Sequence, residues 1–109
     1  MDLLKRNLTN RLLEALSDTP VVLLHGARQT GKSTLVQEIS RELHPANYFT
    51  FDDATTMGTA KRDPLGFLEA YDGPMILDEV QRVPELFVAI KALVDRERTP
   101  GRFLLTGSA

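Results

Sequence analysis

Leu3, Leu4, Leu8, Leu12, Leu13 and Leu16 recur at helical spacing. Asp2 stands where an N-cap belongs, and Ser17-Asp18-Thr19-Pro20 closes the run, so residues 1–19 predict a helix ahead of the first strand. Val21-Val22-Leu23-Leu24-His25 then changes the period: it is short, apolar and β-branched, as a buried strand should be. Helical spacing returns over residues 35–43, with Leu35, Val36, Ile39 and Leu43 on one face. After the turn His44-Pro45-Ala46-Asn47, the aromatic stretch Tyr48-Phe49-Thr50-Phe51 predicts a second strand. Ala54 to Arg62 is polar and ambiguous, with room for a short helix. Asp63-Pro64 reads as N-cap and first helical residue, and Leu65, Phe67, Leu68 and Tyr71 suggest about two turns before Asp72-Gly73-Pro74. Met75-Ile76-Leu77 is a third strand, ending in Asp78-Glu79. Pro84-Glu85 opens a helix whose expected buried face is Leu86, Phe87, Ile90, Leu93 and Val94. Lys91 falls on its wet face, and Arg96 and Arg98 lie near its C-terminus, where the helix dipole favours cations. Thr99-Pro100-Gly101 turns the chain into a fourth strand, Arg102 to Thr106. Alternating strands and helices predict an α/β fold with a mostly parallel sheet.

Composition narrows the classes. The 109 residues suffice for one small domain with a modest core. The absence of Cys excludes disulfides and Cys-based metal sites, and agrees with a reducing cytoplasm. A net charge of −2 argues against a dedicated nucleic-acid module. No apolar run approaches the ~18 residues of a membrane span. Polar residues interrupt the leucines around Lys5 and Arg6, so no signal peptide is read there. With no repeat, low-complexity tract or linker, residues 1–109 read as one continuous domain.

The chemistry centres on Gly26-Ala27-Arg28-Gln29-Thr30-Gly31-Lys32-Ser33-Thr34, which satisfies G-x-x-x-x-G-K-[ST]. Its context is a strand before and a helix after, the geometry that aims backbone N–H groups at a phosphate. Gly26 and Gly31 let the backbone wrap closely. Lys32 supplies a point charge to β- and γ-phosphates, and Ser33 offers a hydroxyl to Mg²⁺. The N–H groups from Thr30 to Thr34 are the expected phosphate nest. Arg28 is balanced between a loop or capping role and a phosphate or partner contact; Gln29 is equally open.

The second signature is the apolar strand ending in Asp78-Glu79. A buried parallel strand delivers its terminal acids to the crevice that holds the glycine loop. Asp78 is expected to hold Mg²⁺, usually through a water, and Glu79 to orient and polarise an attacking water. Asp52-Asp53 ends the second strand and either reaches a metal-bound water or caps the next turn; capping is favoured. Arg82 is open between a neighbouring subunit, the nucleotide and a surface ion pair. The first helix either approaches the nucleotide base or covers the sheet edge, with the second reading favoured.

With both signatures placed, the chain resembles the N-terminal part of the AAA-type P-loop ATPases of bacteria and archaea that carry a C-terminal domain of unknown function. The resemblance rests on Gly26 to Ser33, Phe51-Asp52-Asp53, Asp63-Pro64 with Phe67-Leu68, Ile76 to Leu86, and Gly101 to Ser108. It implies a three-layer sandwich with strand order 5-1-4-3-2, of which these residues supply four strands, so the chain reads as truncated after the fourth. It also implies ATP rather than GTP, Mg²⁺, and a polar sensor of the γ-phosphate at the end of the fourth strand, Thr106 or Ser108. Partners implied beyond ATP are another copy or another protein, reached through parts outside these residues.

The leading functional expectation is Mg²⁺-dependent ATP hydrolysis. The alternatives are a nucleotide-gated interaction module with little turnover, and a small-molecule kinase, for which no Arg-rich lid stands out. A GTPase would want the guanine-reading N-K-x-D motif, which these residues lack. The first strand, apolar and free of Pro and Lys, is expected to leave an open sheet edge, with marginal stability or self-association for the 109 residues alone.

Overall fold

The computed structural model describes residues 3–26 and 31–108. Helix α1 (Leu3–Asp18) leads into strand β1 (Val21–Gly26), and α2 (Lys32–Glu38) continues into a π-helical turn (Ile39–Leu43). Then follow β2 (Asn47–Thr50), α3 (Ala54–Arg62), α4 (Pro64–Glu69), β3 (Met75–Asp78), a 3₁₀ turn (Val80–Arg82), α5 (Glu85–Arg96) and β4 (Phe103–Ser108). The sheet order is β1-β4-β3-β2, and all three pairings are parallel. The four-strand part of the expected order is therefore present.

Period-two alternation divides the core into two layers. Met75, Leu77, Phe103 and Leu105 face one side, against Phe67 and Leu68 of α4 and Leu86, Ile90 and Leu93 of α5. Ile76 and Leu104 face the other side, against Leu12 and Leu16 of α1 and Leu35, Val36 and Ile39 of α2. The middle strands β3 and β4 are buried on both faces, which is why they read as unbroken apolar runs.

Several local details differ from expectation. The helix after the glycine loop begins at Lys32 rather than Leu35, and its last turn widens, with His44 N–H donating to Ile39 O at 2.8 Å. The ambiguous 54–62 stretch is a full helix, because the Asp53 carboxylate accepts from Thr56 N–H at 2.9 Å. Capping is thus what Asp53 does, and the Thr56 hydroxyl and backbone N–H hold its carboxyl below the usual range. Asp63 caps α4 in the same way, through Gly66 N–H at 3.0 Å. On α5 the buried stripe is Leu86, Ala89, Ile90 and Leu93, leaving Phe87 at its margin and 44% exposed. The expected cap Asp2 lies outside the described residues.

Gly101 ties the bottom of the molecule together. It turns at φ +73°, and an added Cβ would stand 2.8 Å from both Leu16 O and the His44 ring. Its N–H donates to Thr19 O and its carbonyl meets His44 Nε2, both at 2.9 Å. Only glycine fits a left-handed turn under that crowding.

Strand β1 ends the sheet, and among the described residues nothing pairs with its free edge. Leu23 on this strand is 54% exposed, beside a shallow apolar groove lined by Val21, Phe87, Ile90 and Val94. An apolar, uncharged edge is a template for strand addition. The 109-residue chain alone is expected to elute from size exclusion as species larger than a monomer, with mass from light scattering. Leu23→Lys should shift it toward the monomer. A sharp, cooperatively unfolding monomer without the substitution would contradict the open-edge account.

Candidate functional site

The parallel strands deliver their C-terminal ends to one edge of the sheet, where ligands of open α/β folds bind. β1 ends at Gly26, in register with Ser108 at the end of β4. β3 ends at Asp78, in register with Thr50 at the end of β2. Helix α2 starts at the same edge. Gly31 precedes it at φ +82°, a left-handed turn suited to glycine, and its carbonyl accepts from Leu35 N–H at 3.0 Å. Lys32 and Ser33 are thereby placed on the first turn, facing β3 and β4, while Thr34 is exposed. The loop positions Ala27, Arg28, Gln29 and Thr30 lie outside the described residues.

Alternation explains what meets Asp78. It shares a sheet face with Ile76, the face that α2 covers, as does Thr106 with Leu104. The Asp78 carboxylate is 1% exposed and accepts three hydroxyls: Ser33 at 2.7 Å and Tyr48 at 2.5 Å on Oδ2, and Thr106 on Oδ1. Among the described residues it has no ion pair. All three donors are neutral hydroxyls.

Glu79 follows at φ +60°, the one non-glycine with positive φ among the described residues. Strand alternation would have carried its side chain to the Leu77 face. The left-handed turn ends the strand instead, and the carboxylate meets groups on the opposite side. Ser108 Oγ donates to it at 2.6 Å, Gln81 Nε2 at 3.3 Å and Lys32 Nζ at 3.4 Å. Thr106 Oγ1 accepts the Glu79 N–H at 2.9 Å, pinning the unusual turn. Strain of this kind persists where surrounding contacts over-determine it, commonly at functional sites. Burial alone would push the Glu79 carboxyl up, but Ser108, Gln81 and Lys32 outweigh it and hold it below the usual carboxylate range.

The two sensor candidates thus occupy different places. Thr106 is fully buried and tied to Asp78 and the Glu79 backbone. Ser108 stands between the two charged groups, accepting from Lys32 Nζ at 2.8 Å while donating to Glu79. Arg82 pairs with Asp52 through Nε at 2.8 Å, both side chains being partly exposed, so it takes the surface ion-pair option. Such a pair contributes about 0–1 kcal/mol.

Sequence reasoning missed Tyr48, Gln37 and Gln81. Tyr48 reads simply as a β-prone aromatic; the available signal was its hydroxyl, which needs a partner once partly buried. Gln37 Nε2 donates to that hydroxyl at 3.2 Å. Gln81 falls inside the diagnostic Ile76 to Leu86 stretch, yet nothing local shows that it bridges Glu79 and Ser108 N–H.

Oxygen donors from Ser33 and Asp78 suit a hard cation that keeps most of its waters. Among the described residues no three His, Cys, Asp or Glu converge. Beside Lys32, a cleft of about 470 Å³ runs under α1, lined by Leu4, Leu8, Leu24, His25 and Leu35. A second cleft of about 320 Å³ lies at the opposite end of the strands, around Gly73, Pro74 and Arg102, away from these carboxylates. No described helix is long and apolar enough to cross a membrane.

Burial, and then the Asp78 contact, push the Tyr48 phenol up to about 12 from 10.0. A phenol whose pKa rises on folding stabilises the fold fully below its unfolded value and loses that contribution as pH climbs through the folded one. The stability gap between the unaltered chain and Tyr48→Phe should therefore shrink between about pH 10 and 12. Urea midpoints measured across that window check it; parallel curves would refute the shift.

The sequence profile of the AAA domain family matches residues 18–109, from the end of α1 through every strand and the carboxylates described above. Proteins of Mycobacterium bovis and Mycobacterium tuberculosis, both described as uncharacterized, are each 42% identical to this chain over 106 residues. The aligned region is 96% of this chain and 23% of each relative, so the chain spans about a quarter of their length. No solved structure matches it significantly. With its profile match covering most of the chain and both glycine-loop and acidic strand ends included, this protein belongs to the AAA domain family.

Proposed function

We propose that the site binds ATP with Mg²⁺ and hydrolyses it to ADP and phosphate. The observation that carries this reading is the convergence of Lys32, Ser33, Asp78, Glu79 and Ser108 from three separate elements at one sheet edge. Family membership supports nucleotide binding; hydrolysis rests on the chemistry of this cluster.

Each residue has a distinct task. Gly26 to Thr34 wraps the phosphates, with Lys32 as their charge partner. Ser33 and Asp78 would hold Mg²⁺, which when bound neutralises charge on the phosphate oxygens. Glu79 orients a water toward the γ-phosphorus and accepts its proton. The new O–P bond forms as the bond from the γ-phosphorus to the β–γ bridging oxygen breaks, leaving ADP. Phosphoryl transfer asks the protein mainly for positioning and charge stabilisation. Ser108, between Lys32 and Glu79, is the better placed of the two sensor candidates, while Thr106 buttresses Asp78. The base lies in the apolar cleft beside α1, where Leu4, Leu8 and Leu35 offer a nonpolar surface.

Lys32→Ala should abolish or severely weaken ATP binding, because a charge-assisted contact is lost. Calorimetry tests this, with thermal unfolding as the control for the Glu79 carboxylate left buried. Unchanged affinity would sink the phosphate-loop reading.

Glu79→Gln, in a protein of full family length, keeps the shape and removes the charge. ATP binding should survive while turnover falls at least about a hundredfold, the scale of lost general-base assistance. Side-by-side binding and phosphate-release assays separate this from a binding-only module, in which neither protein turns over ATP.

A further inference from the structure

Tyr48 makes a 2.5 Å hydrogen bond to Asp78 Oδ2. The same oxygen accepts the Ser33 hydroxyl at 2.7 Å. The phenol comes from β2, two residues before the strand's end, and reaches across to the end of the neighbouring β3. Its own oxygen accepts Gln37 Nε2 at 3.2 Å, so α2 aims the ring hydroxyl from behind.

Two donors on one carboxylate oxygen and Thr106 on the other leave Asp78 little freedom to rotate. The Ser33 proton is committed to Oδ2, which turns a serine lone pair away from Asp78 and leaves it available to a cation. If the phenol hydroxyl were absent, Oδ2 would be held by Ser33 alone and Oδ1 by Thr106, and the carboxylate would be less tightly oriented. Groups that orient a metal-binding carboxylate in this way typically change metal affinity by about 10- to 100-fold when removed.

We infer that Tyr48 is a positioning residue for divalent-cation binding, acting through Asp78 to orient the Ser33–Asp78 oxygen pair. The inference rests on the nucleotide-with-Mg²⁺ reading above. It adds a β2 residue to a site otherwise built from α2, β3 and β4.

The test is calorimetry on the full chain with a non-hydrolysable ATP analogue, in excess EDTA and in Mg²⁺. The quantity read is the gain in affinity that Mg²⁺ confers. Tyr48→Phe should reduce that gain about tenfold or more while leaving the EDTA affinity unchanged. Gln37→Leu, which leaves the Tyr48–Asp78 bond in place, should retain most of the gain; equal loss in both variants would point to a general packing role and overturn the inference. Mg²⁺ gain unchanged in Tyr48→Phe overturns it as well, with the nucleotide reading intact. No Mg²⁺ gain in the unaltered chain overturns both, so the two failures are distinguishable.

Should Tyr48→Phe not fold, a second readout keeps the tyrosine. The chain has two tyrosines and no tryptophan, so in Tyr71→Phe the emission of Tyr48 is observed alone. Mg²⁺ added to the analogue complex should change that emission, because Asp78 is its acceptor. An emission insensitive to Mg²⁺ would overturn the inference.

Discussion

The buried Asp78 carboxylate is the constraint around which the upper edge of this molecule is arranged. A 1% exposed anion must be satisfied by donors, and here those donors are hydroxyls brought from α2, β2 and β4. Each donor belongs to a different element, so the demand of one carboxylate fixes how the ends of those elements meet. Among the described residues, all of its oxygens' protein partners are hydroxyls, and oxygen-rich surroundings of this kind are the ones hard cations prefer.

Glu79 is controlled differently. Its neighbour Asp78 completes the strand, and the left-handed turn at Glu79 breaks the alternation that would have sent it into the α5 layer. Thr106 serves both residues at once, through its hydroxyl to Asp78 and as acceptor of the Glu79 N–H. The β4 strand therefore sets the spacing between two carboxylates that end up in unlike environments. One is surrounded by hydroxyls, the other by an ammonium, an amide and Ser108. Unlike environments on adjacent carboxylates allow unlike roles.

The same division between layers accounts for where polar and apolar positions fall. On the α3–α5 side the sheet is sealed by aromatic and aliphatic packing, with Phe67 against Phe49 at 5.1 Å and Phe51 at 5.9 Å. On the α1–α2 side the lower part is equally apolar, but its upper rim carries Tyr48, Asp78, Thr106 and Ser108. Among the described residues, the buried polar side chains of the sheet thus gather toward the strand ends, on the face where α2 begins. The fold keeps its hydrophobic core intact while concentrating the ionisable groups where backbone turns leave room for a ligand.

Local pattern alone was enough to determine the order of the strands and of the helices other than α3, the mostly parallel α/β class, the glycine loop with Lys32 and Ser33, and the acidic end of β3. Those features are carried by spacing within a dozen residues: period two, period 3.6, caps at Asp53 and Asp63, and glycine where a turn is left-handed. The tertiary structure decided what spacing cannot carry. Tyr48 meets Asp78 because parallel register places β2 beside β3, a relation across 30 residues of chain. Ser108 rather than Thr106 stands by Lys32 because β4 extends past Thr106 into register with Gly26. Phe87 sits at the margin of the buried face because α5 packs on the stripe through Leu86, Ala89, Ile90 and Leu93. The glycine-loop roles of Ala27 to Thr30 stay at the level of the motif. Hydrogen-bond partners between distant elements follow from how layers pack, and packing is a property of the whole chain that no local window contains.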